Sequence, residues 1–195
     1  MDLPTVVSVV VAYLAGSVLF GVLVARGFRV DIYRQGSGNP GTSNVMRAVG
    51  ARAAAAVLVG DVVKGLTAAA LGDAWAGGDV GLVCVLAAAV GHAYPLFHRF
   101  RGGKGVAVAG GGFIWLAPLT GAVLLAGWIA IVVATRTASL ASMAVALVLV
   151  PAMAVAGFEG SELVWVGAVA AFILYRHTPN IRRLLRGREQ KLRDR

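Results

Sequence analysis

The sequence predicts an all-α, polytopic membrane protein: a single domain of seven transmembrane helices, N-terminus outside and C-terminus cytoplasmic. Three observations carry this. Of the 195 residues, 58% are hydrophobic and only 14% charged, whereas a soluble domain is about half apolar and about a quarter charged. The apolar residues fall in runs near the roughly 20 residues that a helix needs to cross a bilayer. The basic residues, with one exception, fall on one side of the alternation those runs impose, as the positive-inside pattern requires.

Taken in order, the first span is 4–25. Its opening, MDLPTVV, lacks the basic segment of a cleaved signal peptide, so it reads as a span. Spans near 51–71 and 80–97 follow. From Gly105 to Thr135 the apolar run is long for one span. Pro118, in WLAPLTG, cannot continue a helical hydrogen-bond ladder. It predicts a tight turn between two short helices, 105–117 and 119–135. Spans 138–157 and 161–175 complete the set, and 176–195 is a basic cytoplasmic tail.

Charge placement supports the count. With the 26–52 loop inside, Arg26, Arg29, Arg34, Arg47 and Arg52 share a side with Arg99, Arg101, Lys104, Arg136 and the tail. Asp2, Asp73, Asp79, Glu159 and Glu162 fall opposite, without a Lys or Arg. The exception is Lys64, within a span and three residues after Asp61, so the two share a helix face and can pair. Charge inside a span marks a functional candidate, but the pair reads first as a neutralised structural contact near a helix end. The one cysteine, Cys84, allows no internal disulfide and reads as a packing residue.

Polar stretches converge on the predicted cytoplasmic face. In RQGSGNPGTSNVMR, 34–47, glycines allow backbone amides to point at one spot, an anion-binding arrangement. Asn44 or Ser43 is placed to cap the second helix, and Arg47 offers a planar fork suited to phosphate. In GHAYPLFHRFRGGKGVAVAGGG, 91–112, Lys104 stands at the start of a helix beginning at Val106. It is no Walker motif, because Gly105 follows the lysine. In YRHTPNIRRLLRG, His177 and Asn180 share a face if the helix continues or restarts at Pro179. From Arg186 onward the tail reads as a basic amphipathic segment on anionic lipid. A weaker stretch, TRTASLAS, spaces Arg136, Ser139 and Ser142 by three.

Several chemistries are missing. No His is followed five residues on by Asp, and no Asp-rich cluster or zinc spacing is present. The site is therefore expected to work without metal or cofactor, by positioning and electrostatic stabilisation of charged substrates. An anion or lipid-phosphate transporter is the first alternative. It calls for midplane polar residues and internal repeats, but only Asp61 and Lys64 qualify and no repeat is evident. A scaffold that binds anionic lipid accounts for the tail but not for the Gly-rich loops.

Three motifs in this order, GSGNPGTSN, GHAYPLFHRFRGGKGVA and RHTPNIRRLL, resemble the PlsY family, the bacterial acyl-phosphate:glycerol-3-phosphate acyltransferases. The resemblance covers nearly the whole chain. It implies a multi-pass enzyme of the bacterial inner membrane with its active site on the cytoplasmic side. That enzyme moves a fatty acyl group from acyl-phosphate to the sn-1 hydroxyl of glycerol 3-phosphate, giving lysophosphatidic acid and inorganic phosphate at the first step of phospholipid synthesis. Membrane lipids are implied partners, nucleic acid is not, and a monomer is expected.

Carried over by position, Ser37, Asn44 and Arg47 are implied to hold phosphate, and Asn39, Thr42 and Ser43 join them as expected substrate-binding residues. Lys104 is implied to hold phosphate with the amides of Gly102 and Gly103. Ser139 or Ser142 supplies a hydroxyl, and His177 and Asn180 orient glycerol 3-phosphate. Lys104, His177 and Arg47 are the catalytic candidates. His177 is a possible base with no carboxylate in sequence to orient it; the substrate's own phosphate is the other proton acceptor. The acyl chain is expected beside Gly105, Ala107 and Gly110 to Gly112. Three departures stand out. The first loop has Thr42-Ser43 for the usual Ala-Thr, Val108 replaces a usual threonine, and Thr178-Pro179 replaces longer polar residues.

Overall fold

The computed structural model describes residues 2–192; the end of the predicted tail, 193–195, lies outside the described residues. Among the described residues the chain is all-helical, with no strand. The helices are α1 (Leu3–Gly16), α2 (Phe20–Gly27), α3 (Thr42–Ala48), α4 (Ala51–Ala76) and α5 (Val80–Ala93), then α6 (Val106–Leu116), α7 (Pro118–Thr135), α8 (Ala138–Val155), α9 (Gly160–Arg176) and α10 (Thr178–Leu185). Among the described residues, five segments are long and apolar enough to cross a membrane: Leu3–Gly27, Ala51–Ala76, Val80–His98, Pro118–Thr135 and Ala138–Val155. The expected 105–117 span is the shorter apolar helix α6.

The N-terminal run departs from one continuous helix. It breaks between Gly16 and Phe20. The Ser17 hydroxyl donates to the Tyr13 carbonyl at 2.9 Å and accepts from the Leu96 amide at 3.3 Å. Lys64 Nζ donates to the carbonyls of Gly16, at 3.2 Å, and Val18, at 2.8 Å. A helix end leaves carbonyls without intrahelical partners; here a lysine from α4 takes them. Lys64 and Asp61 do pair, at 2.8 Å, but in the middle of α4 rather than near its end.

Pro118 opens α7, where its missing amide proton costs nothing. The turn falls where expected, although α7 has 18 residues and only α6, with 11, is short. Small residues set the helix crossings. A Cβ on Gly65 would strike the Val108 carbonyl, and one on Gly111 the Val62 carbonyl, so α4 and α6 meet backbone to backbone. Gly16 against Ala88 and Gly91 against Tyr13 do the same for α1 and α5. Gly112 abuts the Val85 side chain and Gly105 abuts Ala89. Of the glycines expected beside an acyl chain, only Gly110 faces open space; the others are taken up by helix packing. Val108 is fully buried in a cluster with Ala12, Ala68, Cys84 and Ala88.

Candidate active site

The first polar loop is organised by Asn44. This buried side chain sits inside α3, not at the cap of the following helix. Its Nδ2 donates to the carbonyls of Gln35, at 2.8 Å, and Ile32, at 3.4 Å. Its Oδ1 accepts from the Ser37 amide at 3.2 Å and from Arg47 at 3.3 Å. The cap assignment to Asn44 or Ser43 therefore fails. The unforeseen α3 intervenes, Gly41 begins it, and Gly50 begins α4, neither with a side-chain cap. Thr42 and Ser43 lie in the first turn of α3, Ser37 is exposed, and Asn39 Oδ1 is buried without a hydrogen bond.

The second loop is pinned on both sides of Gly103. Its amide donates to the His92 carbonyl at 2.9 Å, and its carbonyl accepts from Arg176 at 2.9 Å. The Arg176 guanidinium also lies 4.8 Å from the centre of the Tyr94 ring. A Cβ on Gly102 would strike the His92 carbonyl. Gly105, with φ +80°, turns the chain into α6, a conformation that glycine adopts readily. Lys104 is thus delivered to the helix start. Burial brings its ammonium down to about 8, Glu189 opposes that, and Arg183, Arg47 and Arg176 add to it. Among the described residues Lys104 Nζ makes no hydrogen bond.

His177 ends α9 and is 2% exposed. Its Nδ1 lies 2.7 Å from the Ile173 carbonyl. A carbonyl only accepts, so Nδ1 carries the proton and Nε2 keeps a lone pair. Burial, then the charge of Lys104, take the imidazole down to about 4, so it is neutral at physiological pH. The orienting group that the sequence did not offer as a carboxylate is a backbone carbonyl. Asn180 follows in the first turn of α10, with its Nδ2 on Glu189 and its Oδ1 buried without a hydrogen bond.

Glu189 is the residue that sequence reasoning missed. After α10 the chain turns at Gly187, φ +64°, and runs back instead of lying out as a basic segment. The Leu192 amide donates to the Arg136 carbonyl at 2.9 Å. Glu189 accepts from Ser139 at 2.8 Å, from Arg183 at 2.8 Å, and from Asn180. Burial raises its carboxyl, but those hydrogen bonds outweigh burial and hold it below the ordinary range. The signal was a carboxylate two residues after a glycine, in a mostly basic tail.

Arg136 does not join the Ser139 face. It sits in the left-handed turn between α7 and α8, φ +57°. Ser142 donates to the Ala138 carbonyl and accepts from Trp128. Thr178 bonds back to the Tyr175 carbonyl, so neither of these hydroxyls is aimed at Lys104.

Arg47, Arg176 and Arg183 thus act electrostatically on Lys104, and the Glu189 carboxylate opposes them. Such a cluster favours an anionic guest, and the Nε2 of His177 and Oδ1 of Asn180 can accept hydrogen bonds from hydroxyls.

The family profile described as glycerol-3-phosphate acyltransferase matches residues 6–187. A glycerol-3-phosphate acyltransferase of Rubrobacter xylanophilus is 44% identical over 187 residues, spanning 95% of this chain and 94% of that protein. One of Geobacillus kaustophilus is 40% identical over 189 residues, with 96% of each covered. The crystal structure of PlsY (YgiH), an integral membrane glycerol 3-phosphate acyltransferase, in its glycerol 3-phosphate form aligns with TM-score 0.92 at 36% identity. That alignment covers 96% of this chain and 94% of that one. The lysophosphatidic acid form aligns with TM-score 0.89.

Proposed function

The chain belongs to the glycerol-3-phosphate acyltransferase family, and from that premise we propose that it uses acyl-phosphate as the acyl donor. The acceptor is the sn-1 hydroxyl of glycerol 3-phosphate, and the products are lysophosphatidic acid and inorganic phosphate. One observation carries the site assignment: the half-buried Lys104 ammonium, without a hydrogen bond among the described residues, stands beside the neutral His177.

Lys104 and Arg47, with the amides of the Gly-rich loops, neutralise the phosphates. The glycerol hydroxyl attacks the acyl carbon, a C–O bond forms, and the carbonyl carbon–phosphate oxygen bond breaks. Phosphate leaves with the bonding electrons. Holding the hydroxyl aligned can supply on the order of 7–11 kcal/mol of barrier lowering. At about 4, His177 is a poor proton store; its Nε2 instead orients the hydroxyl together with Asn180 Oδ1. The proton passes to a phosphate oxygen, whose second pKa near 6 suits the task. Ser139, Ser37, Thr42 and Ser43 complete the polar lining.

We read the topology as seven spans, α1 and α2 together counting as one, with the N-terminus outside and the site at the cytoplasmic face of the inner membrane. Its support is the charge asymmetry, with Lys64 as the one buried Lys or Arg among the described residues. The enzyme acts as a monomer.

The test is an acyl-transfer assay on purified protein with palmitoyl-phosphate and glycerol 3-phosphate, without added metal, following phosphate and lysophosphatidic acid. Palmitoyl-CoA serves as the competing donor. Turnover with acyl-phosphate alone supports the reading; turnover with the thioester alone overturns the donor assignment. If His177→Gln loses kcat at unchanged KM, the imidazole takes the proton itself and the orienting role fails.

A further inference from the structure

Beneath the GGKG loop lies a cluster of charge that the proposed chemistry does not use. Asp61, Lys64 and His92 are 2%, 6% and 4% exposed, in the middle of α4 and near the end of α5. Lys64 Nζ reaches the Gly16 carbonyl at 3.2 Å, the Val18 carbonyl at 2.8 Å and His92 Nδ1 at 2.8 Å. An ammonium has three protons and no acceptor, so these partners and the Asp61 carboxylate share its protons, and His92 Nδ1 is an acceptor. Asp61 Oδ1, 2.8 Å from Nζ and 3.5 Å from His92 Nδ1, supplies the counter-charge. The His92 proton is then on Nε2, at the far edge of the ring.

That far edge meets the loop. A Cβ on Gly103 would overlap His92 Nε2, and one on Gly102 the His92 carbonyl. The Gly103 amide is bonded to that same carbonyl. His92 therefore touches the residue before Lys104 with both its ring and its backbone. The ring's other edge is fixed by Lys64.

We infer that Asp61, Lys64 and His92 are positioning residues: the ion pair fixes the His92 ring, and the ring is the floor that sets where Lys104 stands. The inference rests on the proposed function only for what Lys104 does there. A structural ion pair alone would hold α1, α4 and α5 together and leave the loop indifferent to the ring.

Two substitutions separate the ring's edges. In His92→Asn the side-chain oxygen takes the place of Nδ1, so Lys64 keeps its acceptor, but nothing reaches Gly103. In His92→Gln the terminal amide takes the place of Nε2 beneath Gly103, and Lys64 loses its partner. The chain has three lysines, Lys64, Lys104 and Lys191, so 13C-lysine NMR of the full-length protein in micelles resolves Lys104, with Lys191→Arg for assignment. The groups facing Lys104, namely Glu189, Arg183, Arg47, Arg176 and His177, are unchanged in both variants.

The expected result is crossed. His92→Asn melts near the parent protein, while its Lys104 titration moves from about 8 toward the ordinary value of about 10.4, and KM for glycerol 3-phosphate rises about tenfold. His92→Gln melts lower and keeps the parent titration. The proposal is overturned if His92→Asn leaves Lys104 where it was, or if His92→Asn fails to fold, because it retains the Lys64 acceptor. The titration needs no turnover, so an enzyme inactive with every acyl donor would remove the function reading and leave this one to be decided separately.

Discussion

Lys64 and Lys104 make an instructive pair. Both are lysines largely withdrawn from water in the same small bundle. Lys64 has every proton bonded and a carboxylate 2.8 Å away. Lys104 has no hydrogen bond among the described residues and is governed by burial, then by Glu189, which opposes it, and then by Arg183, Arg47 and Arg176. The first cation is satisfied by the fold; the second, on the proposed function, is kept for a ligand. A charged side chain in a membrane protein is thus sorted by what completes it. Substitutions should separate the two: stability for Lys64, chemistry for Lys104.

The largest effect is expected at Lys64. Lys64→Met leaves Asp61 a buried carboxylate with only His92, 3.5 Å away, beside it, and abandons the carbonyls at the α1–α2 break. Breaking one side of a buried ion pair costs about 3–5 kcal/mol. Thermal unfolding in detergent should show that loss, and Asp61→Leu with Lys64→Met should recover much of it. A single variant as stable as the parent would mean that the pair holds nothing.

Next is Lys104→Ala. Removing one group that stabilises developing charge costs on the order of 10²–10³ in kcat. The melting temperature should stay close to that of the parent, since the ammonium leaves no buried partner behind. A comparable loss of stability would erase the contrast with Lys64.

A smaller effect concerns pH. Below about 8 the Lys104 ammonium is protonated in the empty site, so kcat/KM should hold there and fall above it. Glu189 raises that value, so Glu189→Gln should move the alkaline limb to lower pH and cut activity at pH 8 several-fold. An unmoved limb would place the titrating group elsewhere.

Much of this was legible in the sequence. The helical class, the start of α6 at Val106, the Pro118 turn and the Asp61–Lys64 pair follow from local composition and spacing. The family followed from three short motifs. What stayed hidden depends on partners remote in sequence. The α1–α2 break is stabilised by Lys64, 46 residues from Val18, and by Leu96, 79 residues from Ser17. Asn44 looked like a cap because α3 was invisible; a seven-residue helix inside a Gly-rich loop leaves little periodicity. The tail looked like a lipid-facing basic segment because only the turn at Gly187 swings Glu189 onto Ser139 and Asn180. His92 gave no signal at all, because its work is done against a glycine.

The smallest expected effect tests whether closeness to Lys104 in sequence means closeness to its chemistry. Val108 stands four residues after Lys104, where the family resemblance leads one to expect threonine. If that hydroxyl served the ligand, Val108→Thr would lower KM. But Val108 is fully buried among Ala12, Ala68, Cys84 and Ala88, and its backbone is pressed against Gly65. One helical turn beyond Lys104, the side chain has passed from the site into the packing between α4, α5 and α6. A threonine there can bond back to the Gly105 or Lys104 carbonyl, just before α6, so stability should change by less than about 1 kcal/mol. KM for either substrate should stay within twofold. A KM that fell several-fold would extend the ligand's reach down α6 and make Lys104 the rim of the site rather than its base.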